Sequence, residues 1–253
     1  MNSPELLAAR GIDVQFGRLQ VLVDLSFTVQ RGELLGIIGP NGAGKSTLLS
    51  VLGGTTRPQR GQVVLDDTDI TRRSASWRAR HGIATSYQIP RPFLGMTVFE
   101  NALVASSFSG EGGRRAQTAA NEALEAAHLG HLANVEARDL RLLDRKRLEV
   151  ARALASKPRL LLLDEIAGGL TESEVPELLE LVRAVAASGV TVVWIEHVVH
   201  ALTAVATRML CLTYGKVIAD GAPADVLADP EVRQVYLGLE PESDHSAPKG
   251  GER

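Results

Sequence analysis

The stretch that decides the fold runs Glu33-Leu-Leu-Gly-Ile-Ile38, then Gly39-Pro-Asn-Gly-Ala-Gly-Lys-Ser-Thr47, then Leu48-Leu-Ser-Val-Leu52. The first part is a short apolar run without polar alternation, the pattern of a strand buried on both faces. The last part reads as a helix from Lys45 to Leu52, stopped by Gly53-Gly54. Between them lies G-x-x-x-x-G-K-[ST], from Gly39 to Ser46. Small residues let this backbone curl so that its N–H groups converge on phosphate oxygens, and the helix N-terminus adds partial positive charge. Gly39, Asn41, Gly42 and Gly44 form the cradle, and Lys45 supplies a full charge to the β- and γ-phosphates. Ser46 offers a hydroxyl to Mg²⁺, and Thr47 bonds phosphate.

Working outward, the complement of that loop is Leu160-Leu-Leu-Leu-Asp-Glu165. Four leucines make a central strand, and its C-terminal end delivers two carboxylates to the crevice where such sheets bind ligands. Asp164 is the expected Mg²⁺ ligand, directly or through water. Glu165 is placed to orient and polarise an attacking water. An Asp-Glu pair at a strand end is weak evidence alone. Downstream of a phosphate loop it becomes half of one site.

The rest of the chain fits an α/β plan. Ile12 to Phe16 and Val21 to Val29 read as strands of an N-terminal antiparallel β subdomain, and Val63 to Leu65 and Ile83 to Ser86 as further strands. Pro90 and Pro92 keep Tyr87 to Met96 out of helix. From Thr97 to about Ala155 alanine-rich helical texture dominates, broken at Gly110, Gly112 and Gly113, so a helical insert is expected over about 89–156. Strand and helix signals then alternate: Leu160–Leu163, Ser173–Ala187, Thr191–Ile195, Val198–Ala206, Met209–Thr213. Such alternation implies a mostly parallel sheet with helices on both faces. A single domain over 1–240 is expected, with a polar, disordered tail over 241–253.

Composition narrows the classes. The 253 residues are 45% hydrophobic and 23% charged, ordinary globular usage, and the net charge of −3 gives no basic excess for a nucleic-acid backbone. The local run Arg72, Arg73, Arg78 and Arg80 reads as a solvated helix face or loop. Cys211, the only cysteine, reads as a small buried hydrophobe in a strand. No apolar stretch approaches the ~18 residues of a membrane helix, and Met1 to Arg10 lacks a signal-peptide layout. The expectation is a cytosolic chain that reaches the membrane through a partner.

With the phosphate loop and the Asp164-Glu165 pair in place, the chain resembles the ABC ATPases, a family of P-loop NTPases with a RecA-like core, over about Leu6 to Glu240. The resemblance implies further site residues. Gln88 matches the glutamine that senses Mg²⁺ and γ-phosphate and links to the membrane domain. His197, in Trp194-Ile-Glu-His197, matches the switch histidine at the γ-phosphate. Phe16 matches the aromatic that stacks on adenine. Thr97-Val-Phe-Glu-Asn101, Arg147-Leu-Glu-Val-Ala-Arg-Ala-Leu154 and Asp229-Pro-Glu-Val-Arg-Gln-Val-Tyr-Leu-Gly238 are similar to the ATP-binding subunits of branched-chain amino acid importers. That likeness implies ATP and Mg²⁺ as ligands, membrane permease subunits and a second ATPase subunit as partners, and a solute-binding protein as an indirect one. The place of work would be the cytoplasmic face of the membrane.

The chain departs from the family at the signature L-S-G-G-Q, where it carries Leu140-Arg-Leu-Leu-Asp144. In the family this motif caps the γ-phosphate held by the opposite subunit. Leu142 and Leu143 are expected to crowd that approach, while Arg141 offers charge. Ile166 replaces the usual proline after the glutamate, and Thr171 the usual aspartate of the following turn. Two consequences stay open: an unequal pair of ATP sites, or a loose signature without cost. Three other functions stay open beside the importer. They are an exporter subunit of the lipid or lipopolysaccharide type, a regulatory nucleotide binder, and a soluble ATPase acting on ribosomes or DNA.

Overall fold

The structure is a computed structural model and describes residues 5–86, 90–110 and 112–237. Two sheets carry the chain. An antiparallel sheet is built from β1 (Glu5–Phe16), β2 (Leu19–Gln30), β4 (Arg60–Leu65) and β5 (Thr68–Asp69), in the order β2-β1-β4-β5. A second sheet runs β10-β9-β3-β8-β7-β6, from β3 (Leu34–Ile38), β6 (Ile83–Ser86), β7 (Leu160–Asp164), β8 (Thr191–Ile195), β9 (Arg208–Thr213) and β10 (Lys216–Gly221). Its strands are parallel except for β10, which pairs antiparallel to β9. This is the mostly parallel α/β sheet that the alternating sequence predicts.

Both faces of that sheet are apolar, and the period of two assigns each side chain a layer. Leu160, Leu162, Val193, Ile195, Leu210 and Leu212 join one core with the antiparallel sheet and α1 (Lys45–Gly53). Leu161, Leu163, Val192, Trp194, Met209 and Cys211 join the opposite core, under the helices. Cys211 is fully buried, as its apolar setting suggests, and burial pushes its thiol up to about 11. On this second side lie α3 (Val98–Phe108), α4 (Gly113–Ala126) and α5 (Leu142–Ala155), packed on one another. The start of α3 is fixed by a capping box: Thr97 Oγ accepts from the Glu100 N–H, and the Glu100 carboxylate accepts from the Thr97 N–H. Further helices are α6 (Val175–Ala187), α7 (Val199–Thr203), α8 (Pro223–Ala228) and α9 (Pro230–Leu237).

One expectation is overturned in the arginine run. Part of it forms α2 (Ala75–Arg80), and Arg78 is not solvated: it is 1% exposed. Its guanidinium donates to the carbonyls of Val51 at 2.7 Å, Leu52 at 2.6 Å and Ile70 at 2.8 Å. The first two are carbonyls at the C-terminal end of α1, where the helix supplies few donors; Val51 accepts also from the Gly54 N–H at 3.3 Å. Arg78 therefore ties the far end of the phosphate-loop helix to α2 and the β5 region. Its planar fork suits several acceptors at once, and burial lowers its pKa to about 10. Replacement Arg78→Met removes the donor to the Leu52 carbonyl and one of two donors to each of the Val51 and Ile70 carbonyls, and urea denaturation is expected to show a loss of about 2 kcal/mol.

Candidate active site

The β3–α1 turn is set by close packing. Gly39 has φ 152°, and a Cβ there would sit 2.1 Å from the Leu212 carbonyl oxygen of β9. Gly44, the N-cap of α1, has φ 104°, and a Cβ would meet Leu22 Cδ2 at 2.8 Å and the Val21 carbonyl oxygen at 2.9 Å. Glycine is required at both by backbone conformation and by space. The loop is also tied from outside. The Gly215 N–H donates to the Ala43 carbonyl at 3.0 Å, and the Gly215 carbonyl accepts from the Val23 N–H at 3.0 Å. The sequence reading does not single out Gly215, because a lone Tyr-Gly turn carries no chemistry of its own.

Among the described residues no side chain caps α1. The N–H groups of its first turn have no intrahelical acceptor, which is the condition for an anion site. Lys45 is 5% exposed, and its Nζ donates to the Gly39 carbonyl at 2.7 Å and the Pro40 carbonyl at 3.1 Å. The ammonium is thus folded over the loop it would share with phosphates. Burial lowers its pKa, against the fields of Glu165 and Asp164. Asn41, Gly42 and Ser46 are exposed on the outer side, and Thr47 is half-buried.

Across from the loop, β7 ends at Asp164. Its Oδ1 is buried and has no hydrogen-bond partner among the described residues. Burial first, then the neighbouring Glu165 carboxylate, push Asp164 up to about 6, opposed by Lys45 and His197. An unsatisfied carboxylate oxygen of this kind fits a hard cation. Ser46 and Asp164 line the same cavity of about 470 Å³, whose other walls include Leu49, Ile83, Val104 and Phe108.

Glu165 leaves the strand with φ 48°, in the left-handed region, and its N–H donates to the Ile195 carbonyl at 2.8 Å. The β7–β8 ladder therefore extends to the residue that bears the carboxylate. Glu165 Oε2 lies 2.9 Å from His197 Nε2, so the structure joins these two side chains to each other. Glu165 is 8% exposed, while the His197 side chain is 42% exposed. Phe16 ends β1 at the tip of the β1–β2 hairpin and is 53% exposed, on the same hairpin whose Val21 and Leu22 press on Gly44. Gln88 lies outside the described residues.

The signature region corrects another expectation. Leu143 does not crowd any approach, because it is 3% exposed and belongs to the core. Of the two leucines only Leu142 faces outward, at the first turn of α5. Arg141 is the N-cap of that helix, and its Nε donates to the buried Asp144 carboxylate at 3.2 Å. Ile166 is buried in the core, and Thr171 donates both its N–H and its hydroxyl to the Glu174 carboxylate, each at 2.9 Å.

A glycine-lined phosphate loop at a strand-to-helix turn, faced by an Asp-Glu strand end and a histidine, defines a nucleotide-hydrolysing P-loop protein. Comparison with known proteins narrows this. The family described as "ABC transporter" matches residues 22–168, and the one described as "Branched-chain amino acid ATP-binding cassette transporter" matches residues 216–240. The lipopolysaccharide export system ATP-binding protein LptB of Acidithiobacillus ferridurans is 36% identical over 234 residues, covering 92% of this chain and 97% of that protein. The high-affinity branched-chain amino acid transport ATP-binding protein LivG of Salmonella typhimurium is 34% identical over 254 residues, covering 94% and 99%. The solved ADP conformation of an ATP-binding cassette of an ABC transporter superposes with a TM-score of 0.85 at 30% identity, covering 94% of this chain and 100% of that one. The chain belongs to the ABC transporter family, as one of its ATP-binding cassettes, and it is an ATPase. Among the described residues no helix is long and apolar enough to cross a membrane.

The burial of Asp164 has a measurable consequence. Its folded-state pKa of about 6 lies above the ordinary 3.8. The chain without nucleotide or Mg²⁺ therefore takes up a proton on folding between those values and loses stability as pH rises through that window. Asp164→Asn removes the cost of burying the ionised form. In thermal melts without nucleotide it is expected to stabilise the chain by about 1–2 kcal/mol above about pH 7, and by almost nothing near pH 4.

Proposed function

We propose that this chain is the ATP-hydrolysing subunit of a membrane importer for branched-chain amino acids or a related small solute, working as one of a pair of cassettes at the cytoplasmic face. The Glu165–His197 contact beside Asp164 and opposite Lys45 carries the hydrolytic reading. The match of residues 216–240 to a branched-chain amino acid cassette family carries the importer reading.

In this account the loop from Gly39 to Gly44 and the first turn of α1 hold the β- and γ-phosphates through backbone N–H groups, and Lys45 turns from its carbonyl partners to them. Asp164, Ser46 and Gln88 would hold Mg²⁺, which neutralises phosphate charge when bound. Phe16 stacks on adenine from the β1–β2 hairpin. Glu165 accepts a proton from the attacking water, and His197 fixes the Glu165 carboxylate while its exposed edge meets the γ-phosphate. Phosphoryl transfer to water needs positioning and charge more than covalent chemistry, which suits this set of groups. ATP stabilises a closed pair through contacts absent from the open one. The segment from Gln88 to Met96 and the helices after it carry that motion to the permeases.

The second reading is an exporter subunit, favoured by the 36% identity to LptB. Affinity purification of the tagged chain from mild-detergent membranes separates the two. Two permeases, a second ATPase and a solute-binding protein are expected for the importer. Permeases without a solute-binding protein support export. Recovery of ribosomal proteins, or of none, contradicts both.

Glu165→Gln is expected to lower steady-state ATP hydrolysis at least about a hundredfold while ATP binding is retained, measured by phosphate release and equilibrium titration. In an unequal pair the same change here costs more transport than its counterpart in the partner cassette. Here this chain's phosphate loop faces the partner's signature, and the partner's loop faces Arg141 and Leu142. Equal losses would argue for two equivalent sites.

A further inference from the structure

Glu196, between β8 and His197, has no part in the scheme above. It is 0% exposed, which is unusual for a carboxylate unless it is held by partners. Its N–H donates to the Ile37 carbonyl at 3.3 Å, so its backbone continues the β3–β8 pairing. One carboxylate oxygen, Oε1, accepts from the Ala167 N–H at 2.7 Å and from Trp194 Nε1 at 3.2 Å. Ala167 lies two residues beyond Glu165, in the segment where the backbone leaves β7 in a left-handed conformation. Trp194 is itself 0% exposed, so the indole cannot adjust without moving the core.

These contacts close a loop in space. The segment after β7 bears Glu165, the segment after β8 bears His197, and the carboxylate of Glu196 bonds the backbone of the first from within the second. A left-handed backbone at a non-glycine residue persists only where surrounding contacts over-determine it. The bond to Ala167 and the Glu165 N–H to Ile195 carbonyl bond are two such contacts, on either side of Glu165.

We propose that Glu196 is a positioning residue for ATP hydrolysis, its Oε1 anchoring the Ala167 N–H so that the Glu165 carboxylate is held against His197. This rests on the reading of Glu165 as the proton acceptor. A second buried group comes from α5. Lys146 is 3% exposed, and burial lowers its pKa, opposed by the negative charges of Glu196 and then Glu165. Reach and charge of Glu196 therefore have separable roles: reach serves the Ala167 bond, and charge serves Lys146.

Two conservative variants divide them in the full chain, purified with its membrane partners. Glu196→Gln keeps an oxygen acceptor at the same reach and removes the charge. It is expected to keep kcat within about threefold of wild type. Glu196→Asp keeps the charge and withdraws the oxygen by one methylene. It is expected to lower kcat at least about tenfold with KM for ATP changed by less than about threefold, the pattern of a lost transition-state arrangement. In the isolated chain carrying Trp77→Phe, Trp194 is the remaining tryptophan, and its emission is expected to shift in Glu196→Asp and to stay in Glu196→Gln. The opposite order, with Gln inactive and Asp active, would overturn the proposal in favour of the charge on Lys146. So would equal kcat in all three proteins, or loss of kcat matched by loss of ATP affinity. Glu165→Gln measured in parallel keeps the two readings apart. If it remains active, the assignment of Glu165 fails. If it is inactive while Glu196→Asp is active, only the present inference fails.

Discussion

The rest of the structure depends on the curl of the backbone from Gly39 to Lys45. It is held from both sides: the Leu212 carbonyl of the parallel sheet leaves no room for a side chain at Gly39, and Val21 and Leu22 of the antiparallel sheet leave none at Gly44. The phosphate loop is thus one place where the two sheets meet. The two hydrogen bonds through Gly215 bind the β9–β10 turn and β2 to the same point. Helix α1 begins from this junction, and Arg78 fastens its other end to α2. A site that must turn N–H groups toward an anion needs such external fixing, because the loop makes few bonds within itself.

The electrostatics follow from that packing. Burial opposes charge on Lys45 and on Asp164, while Glu165 and His197 stand 2.9 Å apart at the rim. Lys45 donates to the Gly39 and Pro40 carbonyls, and Asp164 has a buried oxygen with no partner among the described residues. In the proposed function phosphates would complement Lys45 and a divalent cation Asp164.

Much of this was legible in the sequence, for physical reasons that differ by element. The phosphate loop and Leu160–Glu165 could be read because their chemistry requires particular residue types in order, and the strands of the parallel sheet because continuous apolar runs have few other uses. Arg78 was misread because a basic run is ordinarily solvated. Only the tertiary approach of α1 turns one of its members inward. A position-by-position reading of the signature does not reveal that Leu143 is buried, because the helical period of α5 turns one leucine inward and exposes its neighbour. Glu196 and Gly215 carried no local pattern, since their partners lie at Ala167 in one case and at Val23 and Ala43 in the other. Strand β10 and helices α8 and α9 were also not read from pattern, being short and only partly buried.

The outward face of α5 sets this cassette apart from the common family pattern, with Arg141 and Leu142 where a serine and a glycine are usual. The central claim, that nucleotide is held by its β-phosphate at the Gly39–Lys45 loop, is tested most directly by calorimetric titration of the chain with ATP, ADP and AMP in the presence of Mg²⁺. The account predicts ATP and ADP affinities within about tenfold of each other and AMP weaker by at least about a hundredfold, because AMP lacks the phosphate that Lys45 and the α1 N-terminus address. Comparable binding of all three would place recognition at the adenosine and contradict it.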